Sequence, residues 1–183
     1  MHARNPSLIE DSKGRIWASG SGFGVSIINP KKETIQQLTT EQGLKANTIK
    51  TVFEDENGLI WMGTETGEIQ TVDLDHSVFK YFESTAEETN IIINIFLNDA
   101  SNNIWIGTIG AGIQIINPKN NTRKLLIKDD GLVSNTVFSL CLDAHQNIWA
   151  ATQDGVQLIN TKNKKITTFT TNEGLAANDV YAI

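Results

Sequence analysis

The sequence contains few of the residues that cross-link a chain or anchor it in a membrane. It has one cysteine, Cys141, so no internal disulfide can form, and the apolar run around Cys141 indicates a buried side chain rather than a reactive thiol. It contains no run of about 18 apolar residues, and we expect no membrane-spanning segment. Residues 1–6 lack the features of a signal peptide, so we expect any export signal to lie outside this sequence.

Concentrated positive charge is also missing. The 15 Lys and Arg residues are scattered against 21 Asp and Glu, and the formal net charge is −6. We therefore expect neither nucleic acid nor an anionic membrane surface as a partner. Composition is otherwise that of a soluble globular chain, with 39% apolar and 20% charged residues.

Residue patterns for metal binding or catalysis are absent as well. The three histidines, His2, His76 and His145, are far apart and do not recur at a fixed spacing, so they indicate no zinc site. Neither a nucleophile elbow nor a Cys–His pair occurs. We predict no metal, no cofactor and no catalytic residues, and we expect that the chain is not an enzyme.

What the sequence does contain is a repeat. The four tryptophans are spaced 44 residues apart, and an aspartate stands six residues before each of them. The tryptophans are Trp17, Trp61, Trp105 and Trp149, and the aspartates are Asp11, Asp55, Asp99 and Asp143. Glycines follow each tryptophan, and three repeats close with Gly-Leu and a nearby Asn. A fixed period of this length is the signature of a repeat architecture.

Each repeat reads as four short strands, A to D, rich in β-branched and aromatic residues and separated by turn residues. Helical periodicity is absent. Sheets with apolar residues on both faces need neighbours on both faces, which favours propeller blades. We predict an all-β fold of four antiparallel four-stranded β-propeller blades, a fragment of a larger propeller. The predicted domain is a single partial propeller over 1–183, with repeats at about 5–47, 48–90, 91–135 and 136–179, and 180–183 starting a fifth.

The units Asp55–Thr64 and Ser101–Thr108, followed by Gly-Leu and Asn, resemble the two-component regulator propeller repeat. The resemblance covers nearly the whole chain, although Glu87 and Glu88 replace the Gly-Leu of the second repeat. Such repeats are typical of periplasmic sensor regions of bacterial hybrid histidine kinases, especially those resembling polysaccharide-utilisation regulators. The resemblance implies a periplasmic input module for signal transduction that responds to an oligosaccharide.

The repeated residues have a structural and a functional interpretation. The four tryptophans either fill the space between neighbouring blades or stack on sugar rings; their constant mid-strand position favours core packing. The four aspartates either cap the turn between strands A and B or bind calcium. Calcium needs six to eight oxygen ligands, and turns such as that of Asp11 offer one carboxylate, so turn capping is favoured.

Loops on a rigid scaffold are where ligands bind, and we expect the D-to-A and B-to-C loops to share one face. Their amides, hydroxyls and carboxylates can bond sugar hydroxyls, although the asparagines have the alternative of bonding their own turns. The candidate ligand-binding residues are Asn47, Glu65, Thr66, Glu68, Glu87, Glu88, Asn135, Gln153, Asp154 and Asn178.

Three functions remain open on this basis. The first is a sensor module that binds an oligosaccharide, and the second is a protein-interaction or dimerisation scaffold without a small ligand. The third is a propeller lyase, which the scattered histidines disfavour. We also expect either that the four blades stand alone as a ring or arc, or that self-association of two copies completes a larger propeller.

Overall fold

The computed structural model describes residues 7–20, 22–82 and 91–183. These residues form β-strands and three short 3₁₀ turns, and the strands make four antiparallel sheets of four strands each, hydrogen-bonded in chain order. Each sheet lies within one sequence repeat. The prediction of an all-β fold of four-stranded blades is confirmed. Residues 180–183 form no strand, but the backbone N–H of Val180 donates to the carbonyl of Thr152 at 3.1 Å.

The chain divides into two compact units, Met1–Ile93 and Asn94–Ile183. The first unit contains two sheets, whose strands are β1 (Leu8–Glu10), β2 (Ile16–Gly20), β3 (Gly24–Asn29), β4 (Thr34–Leu38), β5 (Ile49–Glu54), β6 (Ile60–Thr64), β7 (Ile69–Asp73) and β8 (Val78–Phe82). The other two sheets comprise β9 (Ile92–Asn98), β10 (Ile104–Ile109), β11 (Ile113–Asn117), β12 (Thr122–Leu126), β13 (Val137–Leu142), β14 (Ile148–Thr152), β15 (Gly155–Ile159) and β16 (Ile166–Phe169).

A core lies between the two sheets of each unit. In the first unit it joins Trp17 and Val25 of the first sheet to Val52 and Met62 of the second. The second unit has a matching cluster. Middle strands such as β6 are buried along their whole length, whereas the fourth strands of the first three sheets are largely exposed, as in β4, and β16 is half-buried. The inner strands therefore carry apolar residues on both faces, and the edge formed by the fourth strand is more accessible to water.

The leucine of each Gly-Leu pair belongs to this packing. Leu44 and Leu132 are buried among the core residues of their units. Each follows a 3₁₀ turn, Thr40–Gln42 or Lys128–Asp130, which ends at a glycine with positive φ. A third turn, Thr171–Glu173, repeats the geometry before Leu175, which is half-buried. The Gly-Leu motif thus turns the chain out of one sheet and inserts an apolar side chain beside the next.

Candidate functional site

The repeated aspartates and tryptophans form one structural device. In each repeat one carboxylate oxygen accepts the backbone N–H groups two and four residues further on, as Asp55 does from Asn57 at 2.9 Å and Leu59 at 3.0 Å. The second oxygen accepts the indole N–H of the tryptophan. The Trp Nε1–Asp Oδ2 distances are 2.8 Å from Trp17, 2.9 Å from Trp61, 2.8 Å from Trp105 and 3.3 Å from Trp149.

In this arrangement both oxygens of each carboxylate accept hydrogen bonds, and the indole rings are packed against other residues. Trp17, Trp61 and Trp105 are almost completely buried, which places them in the packing rather than on a surface that could stack on a sugar. Trp149 is half-buried and stacks on Phe169, with ring centroids 5.7 Å apart. Within residues 7–20, 22–82 and 91–183, no cluster of three His, Cys, Asp or Glu side chains is arranged to hold a metal ion.

Electrostatics follow from these bonds. The pKa of Asp143 is lowered from 3.8 to about 2, because Asn147 donates a side-chain and a backbone hydrogen bond to the carboxylate, each 2.9 Å long. His145 and Trp149 add further donors, and burial opposes the shift. At Asp11 burial would raise the pKa, but bonds from Trp17 and Arg15 outweigh it, so the pKa of Asp11 is also lowered.

Acid should therefore weaken the fold in a way that depends on Asp143. Its pKa is lower in the folded than in the unfolded chain, so its stabilisation is full above about 3.8 and is lost as the pH falls towards about 2. We expect Asp143→Asn to flatten the dependence of the urea midpoint on pH over that interval. Glu10→Gln, at an exposed position of β1, is the control. Parallel pH profiles for wild type and Asp143→Asn would contradict the expectation.

The D-to-A loops and B-to-C turns share a face within each unit, and we call these segments the loop face. It consists of residues 39–48 with 22–24 and 65–68 in the first unit, and 127–136 with 110–112, 153–154 and 170–179 in the second. Backbone bonds join the two kinds of loop: Gly24 N–H donates to the carbonyl of Asn47 at 2.8 Å, and Gly112 N–H to that of Asn135 at 2.8 Å. Lys128 Nζ lies 3.6 Å from Asp154 Oδ2 across the same face.

The three repeated asparagines hold the loops in shape. The side-chain oxygens of Asn47, Asn135 and Asn178 accept the first backbone N–H of their 3₁₀ turns, at 2.8, 3.0 and 2.7 Å. Each asparagine stays at least partly exposed. The structure therefore contains the hydrogen bonds expected if each asparagine bonds its own turn. A ligand on this face would contact the amide hydrogens that remain.

The other candidates on the loop face differ in how free they are to meet a ligand. Glu68 accepts the hydroxyls of Thr64 and Thr66, both at 2.5 Å, and these bonds lower its pKa although burial raises it. Gln153 is exposed, and Glu65 and Asp154 are half-buried. Candidates Glu87 and Glu88 lie outside the described residues. Backbone bonds thus place Asn47 beside Gly24 and Asn135 beside Gly112, and the Gln153 N–H donates to the carbonyl of Thr136 at 3.2 Å, next to Asn135.

Sequence reasoning missed two buried glutamines that fix the loop face. Gln70 Oε1 accepts the backbone N–H of Lys45 at 2.8 Å, and Gln157 Oε1 accepts that of Val133 at 3.0 Å. Each glutamine lies in the third strand of a sheet and holds the Gly-Leu loop of the preceding repeat. The available signal was a glutamine at one place in three otherwise apolar strands, at positions 70, 114 and 157.

The side-chain amide of Gln157 is fully bonded, whereas that of Gln70 is not. Gln157 Nε2 donates to the carbonyl of Gly131 at 3.1 Å and to Thr168 Oγ1 at 2.8 Å. In the first unit the hydroxyl of Tyr81 donates to the carbonyl of Gly43, the counterpart of Gly131, at 2.6 Å. Gln70 Nε2 therefore has no partner among the described residues. The position opposite the glutamine, Thr168 in one unit and Tyr81 in the other, explains the difference.

Repeated four-stranded antiparallel sheets, stapled through Gly-Leu loops and Asp–Trp bonds, define a β-propeller repeat protein. The family described as two component regulator propeller matches residues 43–66 and 131–154, so these two segments are repeats of that kind. Each matched segment begins at a Gly-Leu pair and ends in the B-to-C turn of the following blade. It therefore contains one side of a blade interface and the Asp–Trp bond of the next blade.

This chain spans only a small part of the length of one sequence relative and of two similar solved structures. Histidine kinase P4 of Formosa agariphila is 30% identical in an alignment of 151 residues that covers 76% of this chain and 11% of the kinase. Two solved structures from B. thetaiotaomicron share the fold over 97% of this chain and 24% of their own: the extracellular domain of a proposed one component system (TM-score 0.81, 18% identity) and that of a proposed hybrid two component system (TM-score 0.78, 23% identity).

In the part of the chain that the structure describes, no helix has the length and apolar character needed to cross a bilayer.

Proposed function

We propose that this chain is a ligand-sensing input module of a bacterial two-component signalling receptor. In this proposal the module lies in the periplasm, binds an oligosaccharide at the loop face and leaves it chemically unchanged. The observation that carries the proposal is the repeat family, because its name and the similarity to a histidine kinase both point to two-component signalling. The extracellular location of the two structural neighbours supports a periplasmic location by analogy.

The loop face suits such a ligand. Its turns are fixed by backbone bonds and by buried glutamines, so the polar side chains stand on a rigid support. Gln153, Asp154 and Thr66 are polar and at least partly exposed there. Amides, carboxylates and hydroxyls of this kind bond the hydroxyls of a sugar in both directions, as donor and as acceptor.

A thermal-shift panel of plant and host oligosaccharides tests this function. A ligand present at about 100 times its Kd adds about 2.7 kcal/mol to the stability, which raises Tm by several degrees. We expect the shift to be confined to one class of glycan and to be lost in Gln153→Ala with Asp154→Ala. Lys80→Ala, an exposed substitution on the outer strand β8, should keep it. Mass spectrometry of the recovered glycan should show an unchanged mass.

Self-association without a small ligand is the second candidate. Leu8, Phe23 and Ile35 of the first repeat are between 69% and 81% exposed, which is unusual for large apolar residues on one repeat. A second copy of this chain is the partner that would cover them. A panel without any shift, together with a light-scattering mass that rises with concentration, would favour this scaffold over the sensor.

A further inference from the structure

The charge of the chain is divided unequally between its two units. Residues 94–183 contain seven Lys and Arg and seven Asp and Glu, so the whole formal charge of −6 lies in residues 1–93. Within 94–183 most of the cations come from the C-to-D turns and outer strands of the third and fourth sheets. These cations are Lys119, Arg123, Lys124, Lys162, Lys164 and Lys165. A basic edge has formed on a chain that is acidic overall.

A groove of about 430 Å³ opens at this edge, between the outer strand β12 and the C-to-D segment of the fourth sheet. One face of the third sheet lines it in two rows. The inner row is Trp105, Ile115 and Lys124, which are partners across β10, β11 and β12. The outer row is Asn103, Asn117 and Thr122, and Lys164 faces it from the fourth sheet. The volume lies in the range typical of small-ligand sites.

The polar row is held in place before any ligand arrives. Asn117 Nδ2 donates to Asn103 Oδ1 at 2.9 Å, and Asn103 Nδ2 donates to Asp99 Oδ2 at 2.9 Å. Asp99 also accepts the indole of Trp105, so its carboxylate is fully engaged by neighbours. Each amide still has a hydrogen or lone pair to offer. The groove therefore presents fixed amides in front of a carboxylate whose oxygens are both hydrogen-bonded. The second carboxylate of its lining, Asp130, accepts the backbone N–H of Ile127 at 3.2 Å.

The matching place in the first unit is filled. Arg15 occupies the position of Asn103, and its guanidinium lies 5.7 Å from the centre of the Trp17 ring and 3.2 Å from Asp75. Leu74 and Phe79 pack against the core where the fourth sheet has Thr161 and Ile166. The shorter side chains of the second unit open the groove over Trp105.

The cations also differ in their partners. A cavity of about 540 Å³ among the turns of the first unit is lined by Lys13 and Arg15, which both pair with Asp75. His76 lies in the same lining, with its Nδ1 2.7 Å from Asp73 Oδ2. At the groove of the second unit, neither Lys124 nor Lys164 forms an ion pair with any described residue. Lys164 Nζ instead donates to the carbonyl of Thr161 at 2.5 Å. These two ammonium groups can therefore bind an anion without first breaking an ion pair.

We propose that this groove is a binding site for an acidic saccharide, a sugar unit that carries a carboxylate or a sulfate group. Lys124 and Lys164 bind the anionic group, the row of Asn103, Asn117 and Thr122 bonds the ring hydroxyls, and Ile115 contacts the apolar edge of the ring. This inference shares with the proposed function the assumption that the ligand is a saccharide. The groove is a site separate from the loop face.

Isothermal titration of the whole chain with digalacturonate and with the neutral disaccharide galactobiose tests the proposal. We expect digalacturonate to bind at least about tenfold more tightly, and 0.5 M salt to reduce the difference. A sulfated disaccharide distinguishes the two anionic groups. Lys124→Gln with Lys164→Gln should weaken digalacturonate binding at least about tenfold, whereas Lys31→Gln with Lys32→Gln, in the C-to-D turn of the first repeat, should leave it unchanged.

Two further measurements locate the ligand. Asn103→Arg copies the first unit and should abolish binding while circular dichroism shows a folded chain. In wild type the indole N–H signal of Trp105 should shift in NMR spectra on titration, and that of Trp17 should not. Equal affinity for the acidic and neutral disaccharides, or full binding by the lysine variants, overturns the groove site. If neutral glycans bind and depend on Gln153 and Asp154, the groove fails and the proposed function stands; if no saccharide binds, both fail.

Discussion

Replacement of Asp55 by alanine is expected to lower the free energy of unfolding by about 3 kcal/mol or more. The substitution leaves the indole N–H of Trp61 without its acceptor in a fully buried place, and an unpaired buried polar group costs about 1–3 kcal/mol. The backbone N–H groups of Asn57 and Leu59 lose the same carboxylate, so the turn between β5 and β6 is weakened as well. Urea unfolding followed by far-ultraviolet circular dichroism measures the effect.

The chain supplies a matched control in its fourth repeat. Asp143 makes the same three bonds and accepts a fourth from Asn147 Nδ2, but Trp149 is only half-buried and its indole bond is longer, at 3.3 Å. Water can reach that indole, so Asp143→Ala at neutral pH should cost clearly less than Asp55→Ala. A double-mutant cycle separates the indole bond from the turn bonds, because Asp55→Ala should cost less when Trp61 is already Phe. Equal losses for Asp55→Ala and Asp143→Ala would show that the buried indole is not the main source of stabilisation.

Gly24→Ala is expected to have a comparable effect for a steric reason. Gly24 begins β3 with φ of +71°, and a Cβ atom there would lie 2.2 Å from the carbonyl oxygen of Leu38. That oxygen is backbone, so relief requires moving β4 or the loop that carries Asn47. Left-handed backbone costs alanine about 1–2 kcal/mol and overpacking about 1–3 kcal/mol, giving about 2–5 kcal/mol together. Thermal unfolding should show a Tm lower by roughly 5–15 °C.

Gly22→Ala separates these two contributions. Gly22 also has positive φ, +83°, but an added Cβ would meet nothing within 4 Å. We therefore expect it to lose only the conformational part, about 1–2 kcal/mol. Should Gly22→Ala and Gly24→Ala lower Tm equally, close approach of the backbone would not be the reason for glycine at position 24.

Much of the fold was predictable because the same pattern of strand and turn residues occurs four times in the sequence. A period of 44 residues, with strand-forming residues between turn residues, gave the number of sheets and the order of their strands. The partner of each Trp indole was not predictable in the same way. The six-residue spacing to Asp55 or Asp99 is visible in the sequence, but the direction of an indole N–H depends on how its ring packs between two sheets.

The site was predicted less completely, for a related reason. The loop face follows from topology, and Asn47 with Asn135 could be placed there from the repeat. The groove arises where the repeat is broken: Asn103 stands where Arg15 stands, and Ile166 where Phe79 stands. A cavity results from missing volume contributed by two segments about 60 residues apart in the chain, and only the packed structure shows that they meet.

The contact between the Gly-Leu loop of one repeat and the buried glutamine of the next is asymmetric, and this has an evolutionary consequence. Leu44 and the backbone of Lys45 extend from one repeat towards the next, where Gln70 accepts the Lys45 N–H, so the contact joins the head of one repeat to the tail of the next. Head-to-tail contacts of this kind do not fix the number of units. Unequal recombination between copies of the coding repeat would transfer both halves of the contact together. Genes for such arrays can therefore gain or lose blades without having to evolve a new interface each time.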